Sequence, residues 1–412
     1  MVDILASLGT LRPNTAYINP GLRMESWPIV ADGAHNSNTD LIYWNDSFYL
    51  AHQASVAHFG NEKSRLLVKK SADAHHWEAV AEFPVPGEEL RDPKFAAIGD
   101  RLFLYALRNR SWNPEPYTTV YTVSPDGSSW APLVDVQPEG WLFWHPETFD
   151  SITWHAPAYW HEHGRAILLK TGDGMNWSIV SQIHEGDRID ETALHFLPDG
   201  RMIATGRLEG SESIWGHPQA ATLIATASPP YSDWSRAKSR VTRLDGPRLF
   251  RYDGQIYAVG RYQPACTAPL SKQGSVLGKK RTSLFLVKED GLTYLSDLPS
   301  AGDTAYAGVA ILGNDAYVCY YTSRIDRDYP WIAGMIGATD IRMAKISLPS
   351  LAAVAQSPLT RKTDSVSPWL DFLVAWAMAP FVVAGVWRKR WRPAKRASSI
   401  GPQAGPGPSA KA

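Results

Sequence analysis

Residues 190–207 read DETALHFLPDGRMIATGR. Leu194 and Phe196 lie before the turn residues Pro198-Asp199-Gly200, and Met202, Ile203 and Ala204 follow them. This is the pattern of two apolar strands joined by a tight turn. Glu191 stands just before the first strand and Arg207 at the end of the second. In an isolated hairpin both would be solvated ends, so their meaning depends on what surrounds the hairpin.

The chain has 412 residues and formal net charge +0, with 44% hydrophobic and 20% charged residues. That composition describes a globular protein with a sizeable core. Zero net charge argues against an electrostatic nucleic-acid binder. Seventeen Trp and 17 Tyr supply faces that stack on sugars or pack between sheets. The two cysteines lack metal spacing, and Cys319, in the apolar run AYVCYYT, reads as a buried free thiol.

Five further hairpins share the pattern. Leu41–Ala51 turns at Asn45-Asp46, Phe95–Leu107 at Gly99-Asp100, and Ala156–Lys170 near His163-Gly164. Leu249–Gly260 turns at Asp253-Gly254 and Ala307–Tyr321 at Asn314-Asp315. Candidate third strands follow at Arg65–Lys70, Val120–Val123, Ala166–Lys170, Thr222–Ala227 and Ser283–Lys288. Several of these run into a short Asp-and-Trp turn: Ser71 to Trp77, Ser124 to Trp130, Thr171 to Trp177, and a worn copy from Ser228 to Trp234. In such a turn the Asp accepts backbone N–H bonds and the Trp packs between sheets. Helical periodicity is nearly absent before residue 350. The expectation is an all-β, six-bladed β-propeller of four-stranded antiparallel blades over residues 1–350. In a propeller the first strand of each blade lines the central channel, which makes Asp40, Asp92, His155, Glu191, Arg248 and Tyr306 candidate mouth residues.

The Asp-and-Trp turns resemble the Asp boxes (BNR repeats) of the sialidase superfamily, each one residue shorter than usual. The resemblance implies a glycoside hydrolase with Tyr306 as nucleophile, Glu191 drawing its proton, and Arg207 and Arg281 binding a substrate carboxylate. A phenol with pKa near 10 needs a carboxylate partner to act as a nucleophile, and forked guanidinium donors suit a carboxylate. The chain departs from that family in two places. No Arg stands in the stretch from Asn36 to Ile42 where the Arg-Ile-Pro signature belongs. The loop HQASVAHFGNEK offers His52, His58 and Glu62 but no acid Asp. Asp40, Asp92 and Glu191 also resemble the base, pKa-tuning and acid carboxylates of the arabinanase-like glycosidases.

The sequence thus leads to a glycosidase reading with Glu191 and Tyr306 at the centre and Asp40 and Asp92 as acid/base pair. Arg207, Arg248, Arg281, His155 and Arg324 are the substrate-binding candidates. A non-catalytic carbohydrate- or protein-binding propeller and an inverting enzyme using Asp40, Asp92 and Glu191 are the alternatives. A carbohydrate or glycoconjugate is the expected partner, with no nucleic acid, no cofactor and no metal, and the chain is expected to be monomeric. His161-Glu162-His163 reads as an exposed hairpin tip. Residues 351–368 read as a linker. An apolar segment at 369–388 reads as a membrane-anchor or interfacial helix: its core, Phe372 to Trp387, is short for a span and precedes RKRWRPAKR. Residues 389–412 read as a basic, Gly/Pro-rich disordered tail. With no secretory signal at the N-terminus, a cytoplasmic or membrane-associated location is expected.

Overall fold

The computed structural model describes residues 13–358, apart from 60, 62, 111–114 and 265–269. The expectations for 369–388 and 389–412, and Cys266, lie outside the described residues. Among the described residues no helix is long and apolar enough to cross a membrane.

The chain forms six antiparallel sheets arranged as propeller blades. Blade 1 runs His35–Trp44, Ser47–Ser55, Arg65–Ser71, Glu78–Phe83, and blade 2 runs Glu88–Ile98, Arg101–Arg110, Thr118–Ser124, Val134–Asp135. Blade 4 runs Ile189–Phe196, Met202–Leu208, Ala221–Ala227, Ser235–Ser239, and blade 5 runs Asp245–Tyr252, Gln255–Tyr262, Arg281–Lys288, Gly291–Asp297. Blade 6 takes Thr304–Leu312, Asp315–Thr322 and Asp340–Ser347 from the end of the propeller and its outer strand, Met24–Val30, from the beginning. That pairing ties the two ends of the ring together, so no blade can detach without breaking a ladder.

Blade 3 departs from the sequence reading. Its inner strand is interrupted, Trp141–Phe143 and then Glu147–Thr148, and both pieces pair with Trp154–Trp160. The hairpin read at Ala156–Lys170 therefore supplies the second and third strands. The last hairpin also turns one residue earlier than expected, at Gly313-Asn314, because Leu312 pairs with Asp315. Residues 351–356 belong to the helix Leu348–Gln356, whose Leu348, Leu351 and Val354 pack on the blade 5 and blade 6 core.

The Asp-and-Trp turns join third to fourth strands. Asp73 Oδ1 accepts the N–H groups of His75 and His76, each at 2.8 Å, and Asp173 Oδ1 those of Met175 and Asn176, each at 2.8 Å. The Trp77 and Trp177 indoles donate to Ala74 O and Gly174 O. Cys319 is buried and unpaired.

Each inner strand carries a one-residue β-bulge at the same height. Asn38-Thr39 oppose His52, Asp92-Pro93 oppose Ala106, and Asp190-Glu191 oppose Arg207. Gly246-Pro247 oppose Gly260 and Tyr306-Ala307 oppose Tyr320. In blade 3 His145-Pro146 fill the same place between the two strand pieces. Four bulge residues sit in the left-handed region: Asn38 at φ 52°, Asp92 at 50°, Gly246 at 58° and Tyr306 at 48°. A bulge bends its strand and re-aims the side chain, and here six of them surround one channel.

Blades 6 and 1 meet backbone to backbone. A Cβ on Gly308 would stand 2.1 Å from Leu41 N. Gly308→Ala should lower unfolding stability by about 2–3 kcal/mol through overpacking. Denaturant titration checks this, and an unchanged midpoint would show that the blades slide apart at little cost.

Candidate active site at the channel mouth

The bulges decide which side chains meet. Tyr306 Oη donates a short hydrogen bond to Glu191 Oε1, across 115 residues of chain. Glu191 Oε2 accepts the Gly246 N–H at 2.7 Å, and Arg207 Nη1 lies 3.0 Å from Oε1. Three consecutive blades thus supply acceptor, amide and phenol. Gly246 must be glycine on two counts: its φ is left-handed, and a Cβ there would stand 2.8 Å from Tyr306 Cγ. The bulge ring is also stitched by Thr39 Oγ1 donating to Tyr306 O at 2.7 Å and Trp144 Nε1 donating to Pro247 O at 2.7 Å.

Arg207 faces the bulged pair Asp190-Glu191 directly. Its Nε and Nη2 donate to the two oxygens of Asp190 at 2.7 and 2.5 Å while Nη1 reaches Glu191. The charges at the two ends of the stretch 190–207 are therefore cross-strand neighbours and not solvated ends. Burial pushes the Glu191 pKa up, Arg207 lowers it, and Asp190, Asp245 and Asp92 raise it again; the result is about 7. Burial and the Glu191 charge push the Tyr306 phenol well above its usual range, offset in part by Arg207 and Arg261.

Three more arginines stand on the same rim. Arg261 lies 5.0 Å from the Tyr306 ring centroid and donates to Thr304 O, Tyr321 Oη and Asp303. Arg243 forks onto Asp245 at 2.7 and 3.0 Å. Arg91 pairs with Glu89, which also accepts from Gln53 and Asn109. Each guanidinium is held in place by a carboxylate. Asp92 differs. It is buried, and its Oδ1 has no hydrogen-bond partner.

Directly after the bulges of blades 1, 2, 3 and 5, the channel carries a second polar layer. Asp40 accepts the Phe95 N–H at 2.6 Å and faces His145 Nε2 at 2.9 Å. Burial raises the Asp40 pKa, but His145, Arg248 and Lys94 more than offset it and hold the carboxyl below its usual range. Burial, and then Arg248, depress His145 to about 3, so its imidazole is neutral. Lys94 lies 4.1 Å from the Trp144 ring centroid, and Arg248 Nη1 pairs with Glu147 at 2.5 Å.

The structure therefore gathers Glu191, Tyr306 and Arg207 at one point and gives Arg248 and Asp40 to the layer beyond. His155 lies on the second strand of blade 3, against Phe196 and Tyr231, because the interrupted strand takes the channel position. Arg281 is fully buried, in a short ion pair with Asp328 and close to Thr15. Arg324 is exposed and reaches Asp326. His163 does not sit exposed at its hairpin tip. It turns inward, with Nδ1 3.1 Å from Glu209 and 3.3 Å from Asp190. Sequence reasoning missed His145, Asp190, Arg91, Arg243 and Arg261. The strand-end position that singled out Arg207 also describes Arg261, and was the available signal.

Comparison with solved structures bears on the fold. A Trypanosoma rangeli sialidase mutant displaying trans-sialidase activity is similar at TM-score 0.58 and 13% identity, over 83% of this chain and 61% of that one. The Trypanosoma rangeli sialidase with 2,3-difluorosialic acid, described as a covalent intermediate, is similar at 0.56 and 14%, over 83% and 61%. A Bombyx mori GH32 beta-fructofuranosidase aligns at 0.45 and 17%, over 74% of each chain. The chain spans about three fifths of the length of the sialidases, and at these identities the likeness establishes the fold alone. No protein-family model matches the chain, and no curated protein matches it.

The raised pKa of Glu191 has a consequence for stability. An acid whose folded pKa exceeds its unfolded value stabilises the fold below the unfolded value, and that contribution is lost as pH rises through the folded one. Here the window runs from 4.5 to about 7. Between pH 5 and pH 8 the wild type should lose melting temperature relative to Glu191→Gln. A constant difference across that range would place the titration elsewhere.

Proposed function

We propose that the protein is a retaining glycoside hydrolase of divergent sialidase-superfamily type, with Tyr306 as nucleophile and Glu191 as the base that takes its proton. The observation that carries this reading is the hydrogen bond from the Tyr306 hydroxyl to Glu191 at the bulge ring. A Glu191 pKa raised to about 7 makes it a stronger base than an ordinary glutamate. Tyr306 is left-handed at φ 48° and follows Ala305 at φ 100°. Such backbone is held only where the surroundings over-determine it, and it clusters at functional sites. The shortened Asp-and-Trp turns agree with worn Asp boxes.

Asp92 is the acid/base in this reading. Its Oδ1 has no hydrogen-bond partner, whereas both oxygens of Asp40 are engaged. Asp40 then positions His145. The sugar class follows from the cations. Arg91, Arg207 and Arg261 each interact electrostatically with Tyr306, and a glycoside carrying a carboxylate beside its anomeric carbon would be drawn to them. A phenol assisted by Glu191 also avoids pressing a bare carboxylate nucleophile against that anion. A sialoside or related sugar-acid glycoside is the proposed substrate.

An aryl sialoside should be hydrolysed, with neutral aryl glycosides turned over poorly. Tyr306→Phe should cost about 10³-fold or more in kcat/KM, and Glu191→Gln and Asp92→Asn each about 10²–10⁴-fold. A 2,3-difluoro sugar acid should leave a mass increment on the peptide containing Tyr306. Undiminished turnover in Tyr306→Phe would remove the nucleophile. Binding without turnover of any glycoside would make the protein a carbohydrate-binding propeller instead.

Because Glu191 must be ionised to accept the phenolic proton, kcat/KM should climb with pH through about 7. A rate–pH profile checks this, and a flat profile from pH 5 to 8 would contradict the role of Glu191.

A further inference from the structure

At the seam between blades 1 and 6, linked to the Tyr306 ring through Arg261, two imidazoles converge on one carboxylate oxygen. His35 opens the inner strand of blade 1, His58 lies in the loop after that blade's second strand, and Asp303 immediately precedes the inner strand of blade 6. His58 Nδ1 is 2.7 Å and His35 Nε2 is 3.3 Å from Asp303 Oδ2. Asp303 Oδ1 is taken by Trp331 Nε1 at 2.7 Å, Tyr321 Oη at 3.0 Å and Arg261 Nη2 at 3.3 Å, so Oδ2 is left to the histidines.

The tautomer of His35 is decisive. Its Nδ1 lies 2.7 Å from the Gly337 carbonyl, which can only accept, so Nδ1 carries a proton and Nε2 is the atom turned toward Asp303 Oδ2. His35 is 1% exposed, and Nε2 makes no hydrogen bond. A buried ring nitrogen 3.3 Å from a carboxylate oxygen needs a proton or a metal cation between them. Metal-ligating histidines have this arrangement, one ring N–H on a backbone carbonyl and the other nitrogen bare.

We propose that His35 Nε2, His58 Nδ1 and Asp303 Oδ2 form a binding site for a divalent transition metal of the zinc class. The three ligand atoms lie within 4.8 Å of one another. Around a tetrahedral zinc with ligands at about 2.0–2.1 Å, neighbouring ligand atoms stand roughly 3.3 Å apart. The His35 distance already matches, and that of His58 opens by about half an ångström as its Nδ1 proton leaves to solvent. Two nitrogens and one carboxylate suit zinc, cobalt or nickel, whereas magnesium and calcium prefer all-oxygen shells. His58 is the partly exposed ligand, 16% by side chain, and gives the path of entry and the side for a fourth, solvent ligand. The metal would pin the first inner strand of the propeller to the last, beside Arg261. A second cluster, His163, Asp190 and Glu209, has the ligand types, but Arg207 and Arg188 already donate to the two oxygens that face His163, Asp190 Oδ2 and Glu209 Oε2.

This proposal is independent of the glycosidase reading. Full-length protein stripped with a chelator and titrated with Zn²⁺ alone should bind one equivalent by elemental analysis and melt several degrees higher. Mg²⁺ and Ca²⁺ should have no effect, and Co²⁺ should give the visible absorption of a tetrahedral site. His58→Gln and His35→Gln should each weaken Zn²⁺ binding by at least about 10–100-fold, and His163→Gln should leave it unchanged. If His35→Gln does not fold, His58→Gln, on its partly exposed loop, carries the comparison. No Zn²⁺-dependent shift in the wild type, or a shift that survives both substitutions, would overturn the site.

Discussion

The bulge repeated in every inner strand is the constraint on which the rest depends. A regular strand would alternate its side chains between the two faces of its blade. One extra residue interrupts that alternation at the same height in all six blades and opens the channel end of each strand. Tyr306, Glu191 and Gly246 occupy three of these bulges, and their mutual hydrogen bonds follow from that placement. The scaffold needs only the closure of blade 6 and the packing of the blades to hold the ring of bulges at a fixed radius.

A ring of this kind concentrates charge where water is scarce, and the arrangement of partners follows. Burying one unpaired guanidinium or carboxylate is costly, and removing one member of a buried pair is worse than removing both. Arg207, Arg243, Arg261 and Arg91 accordingly each sit on a carboxylate. Glu191 is the exception that chemistry can use. Its neighbour Asp190 takes most of the Arg207 fork, so burial and the surrounding acids raise Glu191 although a cation touches it. Burial raises Asp190 as well, so two buried carboxylates share one arginine and Glu191 is left poised near neutrality.

The hairpins, the capped turns and the blade number were legible because each is a local pattern. Tight turns with Asn, Asp or Gly recur, and Glu191, Tyr306 and Arg207 stand at hairpin ends where a first or second strand meets the mouth. What was hidden depends on register. A bulge displaces the alternation by one residue, so counting from the turns placed Asp40 and Arg248 in the same layer as Glu191, although each stands just past its bulge. Blade 3 concealed more, since Trp141–Phe143 is too short and His145-Pro146 too irregular to read as a strand. That gap passed the channel position to His155, one strand out. Arg281 shows a third limit. The family resemblance suggested a substrate-binding role, and only tertiary structure supplies Asp328 to bury it.

Left-handed backbone at the ring links fold to chemistry more tightly than the hydrogen bonds alone. A bulky aromatic residue is seldom found at φ 48°, and no local interaction of Tyr306 favours it. The conformation is imposed from both flanks. On one side Thr39 Oγ1 holds the Tyr306 carbonyl, and beyond it Gly308 lies against the Leu41 backbone. On the other side the Gly246 backbone, itself left-handed, leaves room for the ring. Blades 5, 6 and 1 thus fix the direction of one phenol, and blade 4 supplies the carboxylate that receives it. Orientation of the hydroxyl is set by packing that exists before any ligand arrives. In physical terms that is preorganisation: the ordering cost is met on folding and not at the moment of reaction.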